Sequence, residues 1–323
     1  MESELRLARP DDTTISKIFR YLKQTCRAYI KHRYILLLLL PTIIWFLIFR
    51  WGPMYGVQIA FRNFRLIDGI TGSPWVGLQH FYTLFTASPD FIRILINTIW
   101  ISFLRIVLEF PAPIIFALLL NELWSRKFMK ITQNFSYLPF FFTWVVLAAF
   151  WFEMLSPSTG IVNQILIWLG FQPIHFMAEP SLFRSLLVST SILRNVGWDS
   201  IIYMAALSSI DPELYEAARI DGAGRLKQAL HISIPCIFPM ISIMLIIRTG
   251  GILDAGFDQI FNMMTVPTMR VADVIDTYVY RLGLQKMQYD LSTAIGLFRT
   301  VISFGLVLIV NKVLKSMGQE GLF

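Results

Sequence analysis

No G-x-x-x-x-G-K-[ST] stretch occurs anywhere in the 323 residues, so the chain has no loop of its own to cradle ATP phosphates. Histidine is scarce: the four stand at positions 32, 80, 175 and 231, a spacing that suits no metal site. Two cysteines, Cys26 and Cys236, also lack metal-ligand spacing and read as small apolar fillers. No Ser or Cys nucleophile lies beside a recognisable base motif. Enzyme chemistry therefore has nothing to stand on, and no cofactor or metal is expected in this chain. Charge is thin as well, with 15% charged against 55% hydrophobic residues and a mean hydropathy of +0.60. That balance belongs to a membrane protein. No cleavable signal peptide is visible, because the first apolar run begins near residue 34 and is already long enough to span.

What is present is a series of bilayer-length apolar runs. Six spans are expected, over about 34–50, 92–120, 131–154, 182–206, 236–255 and 291–313. The fourth is interrupted by Arg184, Arg194 and Asp199. Lys and Arg crowd the N-terminal tail, the turn at Arg126, Lys127 and Lys130, the loop with Arg219, Arg225 and Lys227, and the C-terminus at Lys312 and Lys315. Residues 155–181 hold none. The bias places both termini in the cytoplasm. It also accounts for most of the net charge of +7, so nucleic acid is not an expected partner. Residues 1–33 read as a cytoplasmic segment in which Ile15, Ile18, Phe19, Leu22, Cys26 and Tyr29 recur at helical spacing among basic residues. That pattern fits an amphipathic helix on the lipid surface, with a soluble helix packed on a partner as the alternative. Residues 34–323 form the expected transmembrane domain.

One polar stretch stands out between the fourth and fifth spans, DPELYEAARIDGAGRLKQALHISIP over residues 211–235. Asp211 is a good N-cap and Pro212 fits a first turn, where its missing N–H costs nothing. Glu213 and Glu216 sit near the positive end of the helix dipole. Ala217 and Ala218 keep one face narrow, and Gly222 and Gly224 end the helix. On this physics a docking element and a plain solvated loop remain equally open.

The residues Glu216-Ala217-Ala218, then Gly222, then Ile232-Ser233-Ile234-Pro235 resemble the EAA loop of binding-protein-dependent ABC importer permeases, with Ile234 where that family usually has Leu. Further stretches are similar to the carbohydrate-uptake branch: Trp75 to Phe81 (His80 replacing an Asn), Asn97-Thr98, Tyr137-Leu138-Pro139, Gly197-Trp198, Asp276 to Arg281 and Gly296-Leu297-Phe298. The resemblance implies an all-α polytopic fold with six transmembrane helices and a cytoplasmic coupling helix. In the bacterial inner membrane the chain would pair with a second, homologous permease. Two ATP-binding subunits using ATP and Mg, an external solute-binding protein and an oligosaccharide or polysaccharide, an acidic alginate-like one included, complete the expected system. Glu213, Tyr215, Glu216, Ala217, Ala218, Asp221, Gly222 and Gly224 would form the ATPase-coupling surface.

Charges inside spans cost about 2.5–3.5 kcal/mol each at mid-helix and usually face protein or water. Arg105 and Glu109, four apart, favour an intrahelical pair over substrate contact. Arg194, Trp198, Asp199 and Arg248 are candidates for the substrate path, because arginine forks suit carboxylates. Structural pairing of the arginines with Asp199, Asp254 or the partner explains them equally. An ion-coupled secondary transporter would account for the spans and buried charges but not for the loop. A membrane sensor or scaffold that docks an ATPase would account for the loop alone.

Overall fold

Apolar runs fold into helices throughout the chain, and prolines decide where those helices deform. The computed structural model describes residues 33–86, 88–251, 253–316 and 318. The amphipathic pattern at residues 15–29 and Cys26 lie outside the described residues. The described residues fall into two compact units, divided between Gln58 and Ile59.

The long helices are α1 (Tyr34–Phe61), α3 (Pro89–Asn121), α9 (Arg225–Gly250) and α12 (Tyr289–Ser316), each long and apolar enough to cross a bilayer. The other helices of six residues or more are α2 (Gln79–Thr86), α4 (Arg126–Phe141), α5 (Trp144–Met154), α6 (Ile161–Trp168), α7 (Pro180–Ser208), α8 (Pro212–Ile220), α10 (Phe257–Met263) and α11 (Ile275–Tyr280). Among the described residues there is no strand, only an isolated bridge between Arg62 and Trp75. Helices α1, α3 and α9 each contain a π-helical stretch: Leu47–Trp51, Arg105–Glu109 and Ala229–Ser233. Each lies just before Pro53, Pro111 or Pro235. A proline ring clashes with the carbonyl four residues earlier, and the widened turn relieves that clash.

Three expectations change. The third span is not one helix: α4 and α5 meet at 104° across Phe142 and Thr143. Pro139 tightens the last turn of α4 to a 3-10 helix, and Phe142 and Thr143 are extended. The apolar run 138–152 continues unbroken across the corner and hides it. The fourth span, α7, is a continuous helix of 29 residues, but its three charges leave it short of the apolarity of the other long helices. The fifth ends at Gly250 rather than 255, where paired glycines stop the helix.

The second unit closes around three apolar clusters. Ile101, Phe183, Leu187, Ile260 and Met263 join α3, α7 and α10. Phe91, Ile94, Ile275 and Ile295 join α3, α11 and α12. Ile114, Ala117, Tyr203, Leu207 and Ile237 join α3, α7 and α9.

The Asn97-Thr98 pair meets the loop that leads into the quoted stretch Asp276 to Arg281, 173 to 177 residues further along the chain. The Asn97 amide donates to the carbonyls of Arg270 and Asp273, and its oxygen accepts from Arg184 at 2.8 Å. Thr98 Oγ1 accepts from the Ile275 amide at 3.0 Å. Buried Asp273 in turn accepts from Thr277 and pairs with Arg281. These contacts clamp the segment 264–281 onto α3 and α7, satisfying loop backbone that would otherwise be buried unpaired.

Candidate translocation cavity and coupling loop

A cavity of about 650 Å³ lies between α3, α7 and α9, lined by Glu109, Trp198, Asp199, Tyr203, Met244 and Arg248 among others. Of the four path candidates, Trp198, Asp199 and Arg248 line it together. Arg248 stands in the last turn of α9, where the early helix end puts it, rather than near the middle of a longer span. Its guanidinium bonds Glu109, whose side chain is only 3% exposed, while Arg248 itself is 44% exposed. Asp199 shares the cavity wall without being Arg248's ion-pair partner.

Arg194 faces elsewhere. Its guanidinium donates to the Phe140 carbonyl at 3.1 Å and to that of Phe142 at 3.4 Å, and stacks over the rings of Phe140 and Trp144. These are the carbonyls that the α4–α5 corner leaves without helical partners. Phe140 also stacks on Trp198 at 4.5 Å with planes 2° apart. Arg194 thus braces the corner, and Trp198 lies between that brace and the cavity.

Glu109, for which the sequence favours an intrahelical pair over substrate contact, also lines the cavity. Its pairing with Arg105 is present at 3.6 Å, but the link to Arg248 depends on α9 crossing α3 and has no local signal. Arg299 pairs with Asp276 and, at 3.8 Å, with Asp254. Burial pushes Asp276, in the loop helix α11, up to about 6; Arg299 opposes the shift and neighbouring Asp254 adds to it. These three groups line a separate cavity of about 510 Å³ with Phe257, Tyr280 and Tyr289.

At the other end of the molecule, the stretch after α7 folds as its residues dictate. Asp211 caps α8, accepting from the Glu213 amide at 3.0 Å. The helix runs Pro212–Ile220, and Gly222 follows with φ of 77°. The Ala223 amide returns to the Ala218 carbonyl at 2.8 Å, which closes the helix end. Tyr215 bonds Ser233 at 2.9 Å, tying α8 to the first turns of α9. Glu213, Glu216, Ala217, Asp221 and Gly224 are exposed or only partly covered. Arg225 reaches Glu122 at 3.6 Å, which links this loop to the turn between α3 and α4. Trp124 in that turn is 96% exposed. One aromatic in a basic turn carries no sequence pattern.

Residues 109–315 match the family described as the binding-protein-dependent transport system inner membrane component. The chain belongs to that family. It is 40% identical to the polygalacturonan/rhamnogalacturonan transport system permease protein YteP of Bacillus subtilis (strain 168), over 91% of both chains. It is 39% identical to Protein LplB of the same organism, over 91% of this chain and 92% of that one. A crystal structure of a bacterial ABC transporter that imports the acidic polysaccharide alginate contains a chain 42% identical to it. That likeness has a TM-score of 0.85 and covers 91% of this chain and 99% of the other. A further structure of the bacterial alginate transporter, in complex with an alginate pentasaccharide-bound periplasmic protein, matches with 41% identity and the same score, over 92% and 99%. The chain is therefore a multi-pass inner-membrane transport component with the ABC importer permease fold.

Proposed function

We propose that this chain is one permease of an ATP-driven importer for acidic oligosaccharides, working by alternating access. The observation that carries the reading is the arginine-bearing cavity between α3, α7 and α9, where Arg248 presents a half-exposed guanidinium beside Trp198. A planar guanidinium suits a carboxylate, and an indole face suits a sugar ring. Named relatives of the chain handle galacturonan or alginate, both polymers of uronic acids, which supports a carboxylate-bearing substrate. A second, homologous permease would complete the cavity. A solute-binding protein would deliver the substrate, and two ATPase subunits would use ATP and Mg at the loop around α8. On this reading Glu213, Tyr215, Glu216, Ala217, Ala218, Asp221, Gly222 and Gly224 are the coupling surface.

The test is uptake by the complete importer in proteoliposomes, comparing a galacturonate trimer with its carboxyl-reduced counterpart. Arg248→Gln should lower uptake of the acidic trimer about tenfold more than that of the neutral one, the effect of losing one charge-assisted hydrogen bond. Equal losses at normal complex levels would refute the role given to Arg248.

Orientation follows from the basic residues, with both termini and the α8 loop inward. Cysteine at Ser158 should react with a membrane-impermeant thiol reagent in intact cells, and cysteine at Ser316 should not. Both positions are exposed. The reverse pattern would invert the topology.

A further inference from the structure

We infer that Glu109 is an internal stand-in for the substrate carboxylate: it occupies Arg248 when the cavity is empty and yields it to a uronate group. The inference rests on the acidic-substrate reading above and adds a specificity-determining residue to it.

The carrying observation is one buried carboxylate held by two arginines of unequal freedom. Arg105 is anchored. Its guanidinium bonds Gln259 Oε1, and the Gln259 amide donates to the Leu187 carbonyl at 2.7 Å and to Thr190 Oγ1 at 2.8 Å. Gly256, with φ of 84°, packs against the same guanidinium, where any Cβ would collide with it. Arg248 is not anchored in this way: its described polar link is to Glu109, and 44% of its side chain is exposed on the cavity wall. The asymmetry decides which pair can open. If Arg248 turns to a ligand, Glu109 keeps the opposite charge of Arg105 at 3.6 Å, an ion pair without a hydrogen bond, so its buried charge still has a counter-charge while its oxygens wait for Arg248 to return. If Arg105 had to leave, a buried hydrogen-bond chain would break.

A neutral sugar offers nothing to replace the ion pair, because hydroxyl groups do not match the charge of the carboxylate they would displace. A uronate does. Arg248 discriminates by this exchange of one carboxylate for another, and Glu109, as the competitor, lowers the affinity for the acidic ligand by the ion pair that must first be broken. The widened π turn Arg105–Glu109 aims both side chains of α3 at this junction, a placement that π-bulges often serve at functional sites. Asp199, on the same wall, adds a second negative charge against any acidic ligand that fails to engage Arg248.

The experiment uses the same complete importer and the same two trimers. The binding protein is common to every arm, so its own preference cancels. Glu109→Gln removes the competitor, and the ratio of acidic to neutral KM should fall about tenfold relative to the unmodified importer. The change should lie in KM rather than kcat. Adding Arg248→Met to that variant should erase the gain. Should Glu109→Gln prevent assembly, Glu109→Asp keeps a negative charge at the site while shortening the reach to Arg248, and must shift the ratio in the same direction. An unchanged or raised ratio in the variant that assembles would overturn the inference. An unmodified importer with no preference for the acidic trimer would instead sink the substrate reading itself. A preference that Glu109 substitution fails to sharpen would sink only the selector.

Discussion

Gly222→Val should leave the permease assembled in the membrane and bring transport to background. Gly222 sits just past α8 with φ of 77°, a conformation in which a β-branched residue is a true outlier. Nothing lies within 4 Å of the position a Cβ would take, so the substitution does not collide with this chain's own packing. Its cost is confined to the turn, on the order of 1–2 kcal/mol for one residue held left-handed. That is too little to unfold a long helical bundle but enough to re-aim a short exposed helix. Valine would also bring bulk to the face proposed to meet the ATPase. Glu216→Lys should act alike, because it reverses an exposed charge in the middle of α8. The measurement is binding-protein-stimulated ATP hydrolysis and uptake at matched complex levels. Full transport by Gly222→Val would show that the loop is not the joint between permease and ATPase.

Gly197→Val should do the opposite, removing the protein before coupling can be assayed. Gly197 lies on α7 where that helix crosses α4, and a Cβ there would overlap the backbone of Ser136. The obstacle is main chain, which cannot swing aside as a side-chain tip can. Gly197 is itself buried. Even Gly197→Ala forces the two helices apart, and the opening would spread to the stacked pair Trp198–Phe140 and to the Arg194 brace on the α4–α5 corner. Overpacking of this kind costs about 1–3 kcal/mol where neighbours can adjust, and more where they cannot. The expected result is loss of membrane accumulation with valine and a marked fall with alanine, read by quantifying the chain in isolated membranes. Normal levels of Gly197→Val would mean that α7 and α4 do not cross so closely.

Together the two glycines show which parts of the molecule were readable in advance. The helical membrane character, the capped helix after Asp211 and the turn at Gly222 were all legible, because each depends on neighbours within a few residues: hydropathy over one bilayer thickness, a cap, a backbone without a Cβ. The intrahelical Arg105–Glu109 pair was legible for the same reason. Gly197 and Asn97-Thr98 were visible only as part of a family resemblance, with no hint of what they touch.

Tertiary structure decided the rest. The corner between α4 and α5 is invisible to hydropathy, since Phe142 and Thr143 break the helix without interrupting the apolar run. The early end of α9 moved Arg248 into a last turn and against Glu109. Four path candidates that looked equivalent along the chain then separated. Arg194 went to the freed carbonyls of the corner, while Trp198, Asp199 and Arg248 gathered on one cavity. The physical reason is that a charge in an apolar span must find a partner. Sequence states that need, but which partner meets it depends on segments far along the chain, 54 residues away for Arg194 and 139 for Arg248.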